Sequence, residues 1–338
     1  MEQDKLKTLL ESGRVSAEAL KTNVGLFQET DRLNNNLQEA VDLINESLKE
    51  AGSTDSICKD DIKFTNARLT NSYYFVDDEV DEDMHHMRMT SNLSNAVFDA
   101  YYPKPEGELF IHYTNLSALK GILKDMLKIK SLITNYNDEE FKAFYTDHGI
   151  DGYALTKDDR DIALEEKLMR ESYAMCFASP HGLTYKNEDA LWRSFADNGG
   201  GIKIEFRIIS NHPDFRKIFY KPKGMSNEDL LFNLISRKVK ARYNRDFSVA
   251  GISKIGAFYL PGGYLIENEV RFLIKKHTDE YGFHLEERNG YIMLPFVSEY
   301  GTFTINKITP GYTCSMDSLI AIINESKYTV EELLSPAS

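Results

Sequence analysis

The chain is poor in the residues that build covalent or metal-held scaffolds. Its three cysteines, Cys58, Cys176 and Cys314, are widely spaced with no CxxC pair, and its eight histidines never fall into a zinc-ligand spacing with them. Neither a disulfide framework nor a structural metal is expected, and reduced thiols in a cytoplasmic setting are. No window reaches the roughly 18 uninterrupted apolar residues of a membrane span, and MEQDKLKTLLESGR at the amino terminus has no apolar signal-peptide core, so no membrane partner is expected. Positive charge is scarce as well. Forty Lys and Arg against 53 Asp and Glu give a net charge of −13, which argues against a general polyanion-binding surface and leaves any nucleic-acid contact to a local patch.

What is present is ample apolar material: 42% hydrophobic residues, 12% aromatic, enough over 338 residues for one large core or two ordinary ones. Residues 3–50 read as helices, with a stop at Gly13, a cap at Ser16 and an end at Gly52. The acidic run DDEVDEDMHHMRM, which holds His85 and His86, reads as a solvated surface or loop rather than a metal site. The prolines and glycine of YYPKPEGE mark a boundary, dividing a helical region over 1–105 from a separate domain over 106–338. In that domain LFIHYT, LKIKSLI, YAMCFAS, GGIKIEF, KVKARYN, EVRFLIK and YIMLPFV read as strands, and NLSALKGILKDM, LEEKLMRES, NEDLLFNLIS and SMDSLIAIINESK as helices. Short turns between alternating strands predict an α+β fold with a mainly antiparallel sheet.

The most unusual segment is YLIENEVRFLIK. Read as one strand, it puts Glu267, Glu269 and Arg271 on one face and Ile266, Val270, Phe272 and Ile274 flanking Asn268 on the other. A charged face on so apolar a strand needs water, a partner such as Arg271, or a ligand. Four other segments bear on it. His112-Tyr113-Thr114 ends a strand just before a helix, and Asn137-Asp138-Glu139 makes a turn. Cys176-Phe177-Ala178-Ser179 ends a further strand, and Leu191-Trp192-Arg193-Ser194-Phe195-Ala196-Asp197 runs into three glycines.

In this order the five segments resemble bacterial domain-of-unknown-function family 2971, with its HYT-like start, Asn-Asp turn, CFS strand, W-x-x-Y/F-A-D segment and E-x-E-x-R strand; the resemblance covers about residues 108–275. The same features are similar to the ADP-ribosyltransferase superfamily, which implies a split, mainly antiparallel sheet and NAD consumed as substrate. On that resemblance Glu269 is the catalytic carboxylate facing the charge that develops on the ribose, and Glu267 the residue that orients or deprotonates the acceptor. His112 would bond the adenosine ribose, Tyr113 and Phe177 would wall the nicotinamide, and Thr114, Asn137, Ser179, Trp192 and Arg193 complete the cofactor set. Arg193 is the expected pyrophosphate contact.

SRKVKARYNR is the one concentrated basic segment. Read as a strand it lines Lys238, Lys240 and Arg242 along one face with Tyr243 among them, a pattern that can grip phosphates and stack a base. It favours RNA or DNA over protein as acceptor. By the resemblance, the chain looks like an intracellular toxin of a toxin–antitoxin or phage-defence system, whose helical region would meet an antitoxin or a phage trigger protein. The alternatives are a protein acceptor, a nuclease using Glu267, Glu269 and Asp138 around a divalent cation, and a non-catalytic nucleotide-binding module.

Overall fold

A computed structural model describes residues 17–71, 92–135, 138–149, 169–249, 256–276 and 285–334. Ser16, the acidic run with His85 and His86, Asn137 and most of LEEKLMRES lie outside the described residues.

In chain order the elements are α1 (Ala17–Asn34), α2 (Gln38–Glu50), β1 (Ile62–Phe64), β2 (Arg68–Asn71), α3 (Asn92–Tyr101), β3 (Leu109–Thr114), α4 (Leu116–Ile122), β4 (Met126–Ser131) and α5 (Asp138–His148). There follow β5 (Ser172–Ala178), α6 (Tyr185–Phe195), β6 (Ile202–Ile209), β7 (Phe215–Lys217), β8 (Phe219–Lys221), α7 (Leu231–Tyr243), β9 (Asp246–Phe247) and β10 (Tyr259–Pro261). The last are β11 (Glu269–Lys275), β12 (Glu287–Arg288), β13 (Tyr291–Pro295), β14 (Val297–Ser298), β15 (Gly301–Pro310), α8 (Met316–Asn324) and α9 (Val330–Leu334). The chain divides into two compact units. One holds the described residues within 1–76, 89–100 and 226–251, and the other those within 101–225 and 252–338.

The first unit pairs α2 with α7 and adds a small sheet ordered β1-β2-β9. Helix α2 buries Ala40, Val41, Ile44, Ser47 and Leu48, a single helical stripe. KVKARYN belongs to this unit and is helical, not a strand. Leu231, Phe232, Ile235 and Val239 are its buried residues, and their three- and four-residue steps suit a helix face. The alternation of SRKVKARY is a short-window coincidence inside that longer period. Asn244, left-handed at φ 51°, ends the helix.

The second unit is α+β, built on a large curled antiparallel sheet, a half-barrel flanked by helices. Its order is β12-β13-β4-β5-β3-β6-β15-β14, with β11 joining β5 to β7. β6 shows why: Ile202, Ile204, Phe206 and Ile208 are buried while Lys203, Glu205 and Arg207 between them are not. That buried face joins Phe110, Phe177, Val270 and Phe272 in one core with Leu119 and Ile122 of α4 and Leu319 and Ile323 of α8. The opposite face carries a smaller cluster of Ile111, Tyr113, Ala178, Leu191 and Ala196.

YLIENEVRFLIK is not one strand. Residues Gly262–Glu267 form a 3-10 helix, Asn268 is left-handed at φ 45°, and β11 starts at Glu269. Alternation therefore does not relate Glu267 to Glu269. Asn268 can hold this conformation because its side-chain amide donates to the carbonyls of Ser179 (3.0 Å) and His181 (2.7 Å).

Candidate functional site

Strand β5 has two edges, and β11 occupies one along its whole length, Ser172↔Lys275 to Ala178↔Glu269. On the other edge β3 touches β5 only at Ile111↔Ala178, and β4 only at Lys130↔Ala174 and Ser131↔Tyr173. The two strands thus splay apart over Met175, Cys176 and Phe177, and α4, which connects them, bridges the gap. A cavity of about 840 Å³ opens there, lined by β3, α4, β4, β5, the 3-10 turn before β11 and the start of β11. Its size lies within the ~300–1,000 Å³ usual for small-molecule sites.

The splay leaves β5 backbone groups without a strand partner, and His112 takes one of them. The Ser179 N–H donates to Asn268 O at 2.9 Å, so by antiparallel alternation the 176/271 pair is a non-hydrogen-bonded one and the Cys176 carbonyl points into the gap. His112 Nδ1 lies 3.1 Å from that oxygen and must carry the proton it donates. Burial holds the His112 pKa below its ordinary value, against the opposing pull of the Cys176 carbonyl. The ring is neutral, with Nε2 left as an acceptor.

Glu269 is 6% exposed and Arg271 2%. Arg271 Nε donates to Glu269 Oε1 at 2.8 Å and Nη2 to Oε2 at 3.1 Å, while Nη1 donates to the Ala257 carbonyl. The Glu269 N–H donates to the Tyr220 hydroxyl at 2.7 Å. Burial first, and the Glu269 charge second, push the Tyr220 pKa far above a phenol's usual value, so the hydroxyl stays protonated.

Of the residues singled out in the sequence, His112, Tyr113, Thr114, Phe177, Glu267 and Glu269 all line the cavity. They reach it from two sides. Residues opposite one another in a sheet share a face, so Ile111, Ala178 and Glu269 lie on one face, and His112, Phe177 and Val270 on the other. Tyr113 packs edge-on against Trp192 with centroids 5.2 Å apart, and its hydroxyl donates to Glu188.

Three expected residues are not in the cavity lining. Ser179 is buried, its backbone N–H and carbonyl both bonded to Asn268; Trp192 packs behind Tyr113; and Arg193 is exposed and paired with Asp189 at 2.9 Å. The basic segment of α7 is neutralised by its own unit. Lys238 bonds Glu50 at 3.1 Å, Lys240 bonds Asp246 at 2.8 Å, Arg242 pairs with Glu39, and the Tyr243 ring packs on Phe64.

Lys128, Lys130 and Tyr291, which no sequence motif marked out, also line the cavity. The signal for the two lysines was the L-K-I-K alternation of β4, which sends both to the face opposite buried Leu127 and Ile129. Among the described residues no three of His, Cys, Asp and Glu converge as metal ligands would. No described helix is long and apolar enough to cross a membrane. Comparison with protein-family models, curated proteins and solved structures finds no match.

Proposed function

We propose that this chain is an NAD-dependent ADP-ribosyltransferase, its half-barrel being the split sheet of that fold. One observation carries the reading: a single cavity at the β3/β4 splay collects His112, Tyr113, Phe177, Glu267 and Glu269 from segments far apart in sequence. These are the residue types the chemistry needs. In the reaction the bond from ribose C1′ to the nicotinamide nitrogen breaks and its electron pair leaves with neutral nicotinamide. Positive charge then develops on the ribose, opposite a carboxylate. Bonded twice to the Arg271 guanidinium, Glu269 is fixed in place, and its remaining lone pairs can accept from the ribose hydroxyl. The acceptor oxygen or nitrogen bonds C1′ and gives up its proton, for which Glu267 is the base at hand. Neutral His112 offers Nε2 to a sugar hydroxyl.

The acceptor is a hydroxyl or amine of nucleic acid or protein, and the pairing of the α7 cations removes the main support for nucleic acid. The family resemblance alone carries the extension to a toxin or anti-phage effector whose helical unit meets an antitoxin or trigger. A second reading, a silent nucleotide-binding module, is favoured by one fact: both Glu269 oxygens are already engaged by Arg271.

Incubation of the chain with adenine-labelled NAD and cellular RNA, DNA and protein separates the two. Label transfer with nicotinamide release, abolished in Glu269→Gln, is the expected result. NAD binding without release selects the silent module. Absence of both binding and release overturns the proposal, and metal-dependent nucleic-acid cleavage without NAD replaces it with a nuclease.

A further inference from the structure

The face of the sheet that holds Glu269 also carries two cations, Lys128 and Lys130. Lys130 lies opposite Tyr291 on one side and Ala174 on the other, and Lys128 lies opposite Met293. Through β5 this face continues as Ala174, Cys176 and Ala178, and Ala178 lies opposite Glu269. The side chains between the lysines and the glutamate are therefore small, so they floor a trough rather than fill it. Along β5 the trough runs from Ala174 to Ala178, roughly 13 Å at about 3.3 Å per residue. Lys130 stands at the Ala174 end, Lys128 lies two residues from it along β4, the acids Glu267 and Glu269 stand at the Ala178 end, and all of these residues line the same cavity.

Among the described residues the lysines have no acidic partner. Their same-face neighbours in the sheet are Tyr291, Met293 and Ala174, and among the described residues neither lysine makes an ion pair or hydrogen bond. The Lys128 ammonium sits 3.8 Å from the centre of the Tyr291 ring, a cation–π contact that holds it at the cavity wall. Two ammonium groups rooted about 7 Å apart on one strand face, each on a flexible four-carbon stem, can converge on one multiply charged anion.

We infer that Lys128 and Lys130, with Tyr291 behind them, form the subsite for the diphosphate of a dinucleotide lying along the trough. The inference rests on the NAD reading and deepens it: the diphosphate goes to the β4 lysines, and the cationic nicotinamide end goes to Glu267 and Glu269. Such an orientation matches charge at both ends of the ligand. Arg193, paired with Asp189 outside the cavity lining, has no part in it.

The test is calorimetric titration of the full chain with ADP-ribose, inorganic pyrophosphate and nicotinamide riboside. It compares wild type, the double variant Lys128→Gln/Lys130→Gln, and the control Lys104→Gln, an exposed lysine outside the cavity lining. Loss of two charge-assisted contacts, roughly tenfold each, predicts that the double variant binds ADP-ribose and pyrophosphate about a hundredfold more weakly. Nicotinamide riboside, which lacks the diphosphate, should bind both proteins alike, and the control should behave as wild type. Equal affinity of wild type and double variant for ADP-ribose overturns the subsite while leaving the NAD reading standing. Failure of wild type to bind either diphosphate ligand overturns it too. Lysine-dependent binding without any nicotinamide release sustains the subsite and sinks the transferase.

Discussion

Arg271 clasps Glu269 with two hydrogen bonds, 2.8 and 3.1 Å, across one turn of strand alternation and almost wholly out of solvent. Both charges depend on each other, because a lone buried ion retains its desolvation cost. Arg271→Ala should therefore lower stability by about 3–5 kcal/mol, read from urea unfolding followed by circular dichroism. Glu269→Gln keeps an acceptor toward Arg271 but not the charge, and nicotinamide release should fall by about a hundredfold to a thousandfold. Release at the wild-type rate would remove Glu269 from the chemistry.

Asn268 sets the relation between the two acids. Its left-handed backbone and its two side-chain bonds, to Ser179 O and His181 O, separate the 3-10 turn ending at Glu267 from β11. Asn268→Gly keeps the backbone and loses the bonds, whereas Asn268→Ala loses the bonds and adds roughly 1–2 kcal/mol of left-handed strain. The alanine variant should thus be the less stable of the two by that margin in thermal unfolding. Equal melting temperatures would mean that this backbone conformation costs alanine nothing here.

His148 should make the fold sensitive to acid. Its Nδ1 donates to Phe144 O at 2.7 Å and its Nε2 accepts from the Tyr101 hydroxyl at 3.0 Å, an arrangement only the neutral ring satisfies. Burial, the largest cause, drives its pKa down to about 4. In the unfolded chain the ring titrates near 6.5, so between about 6.5 and 4 the unfolded state holds more protons and falling pH favours it. Roughly 3 kcal/mol should be lost across that window, with no further loss from this group below pH 4. His148→Leu should flatten that part of the stability profile, and an unchanged slope in urea titrations from pH 7 to 4 would refute the assignment. His112, whose pKa burial also depresses, adds to the loss in the same direction.

Helix α7 should be inert toward nucleic acid. Lys238→Gln and Arg242→Gln break partly exposed pairs with Glu50 and Glu39, so stability should change by less than ~1 kcal/mol. Fluorescence anisotropy with single-stranded RNA should show the same binding before and after. A clear loss of affinity would restore the segment as an RNA contact.

Much of the candidate site was legible because its pieces are local. β3 with Asn115 capping α4, the L-K-I-K strand and the one-sided pattern of β6 all follow from side-chain direction along a short segment. SRKVKARY misled for the same reason: over a few residues, alternation is compatible with a helix whose apolar positions lie further upstream. Arg193 looked available because a sequence does not show Asp189 one turn back turning toward it.

From the sequence by itself came the two acids at 267 and 269, the His112 strand before its helix and the apolar periods that shape most elements of the sheet. Only the tertiary structure decided that β3 and β4 part over β5, that Asn268 breaks the acidic strand, that Arg271 holds Glu269, and that Lys128 and Lys130 line the same cavity with no acid paired to them among the described residues. Periodicity records which way a side chain points from its own backbone. Which strands fail to meet, and which charges find a partner, depends on segments distant in the chain and on the low dielectric they create together.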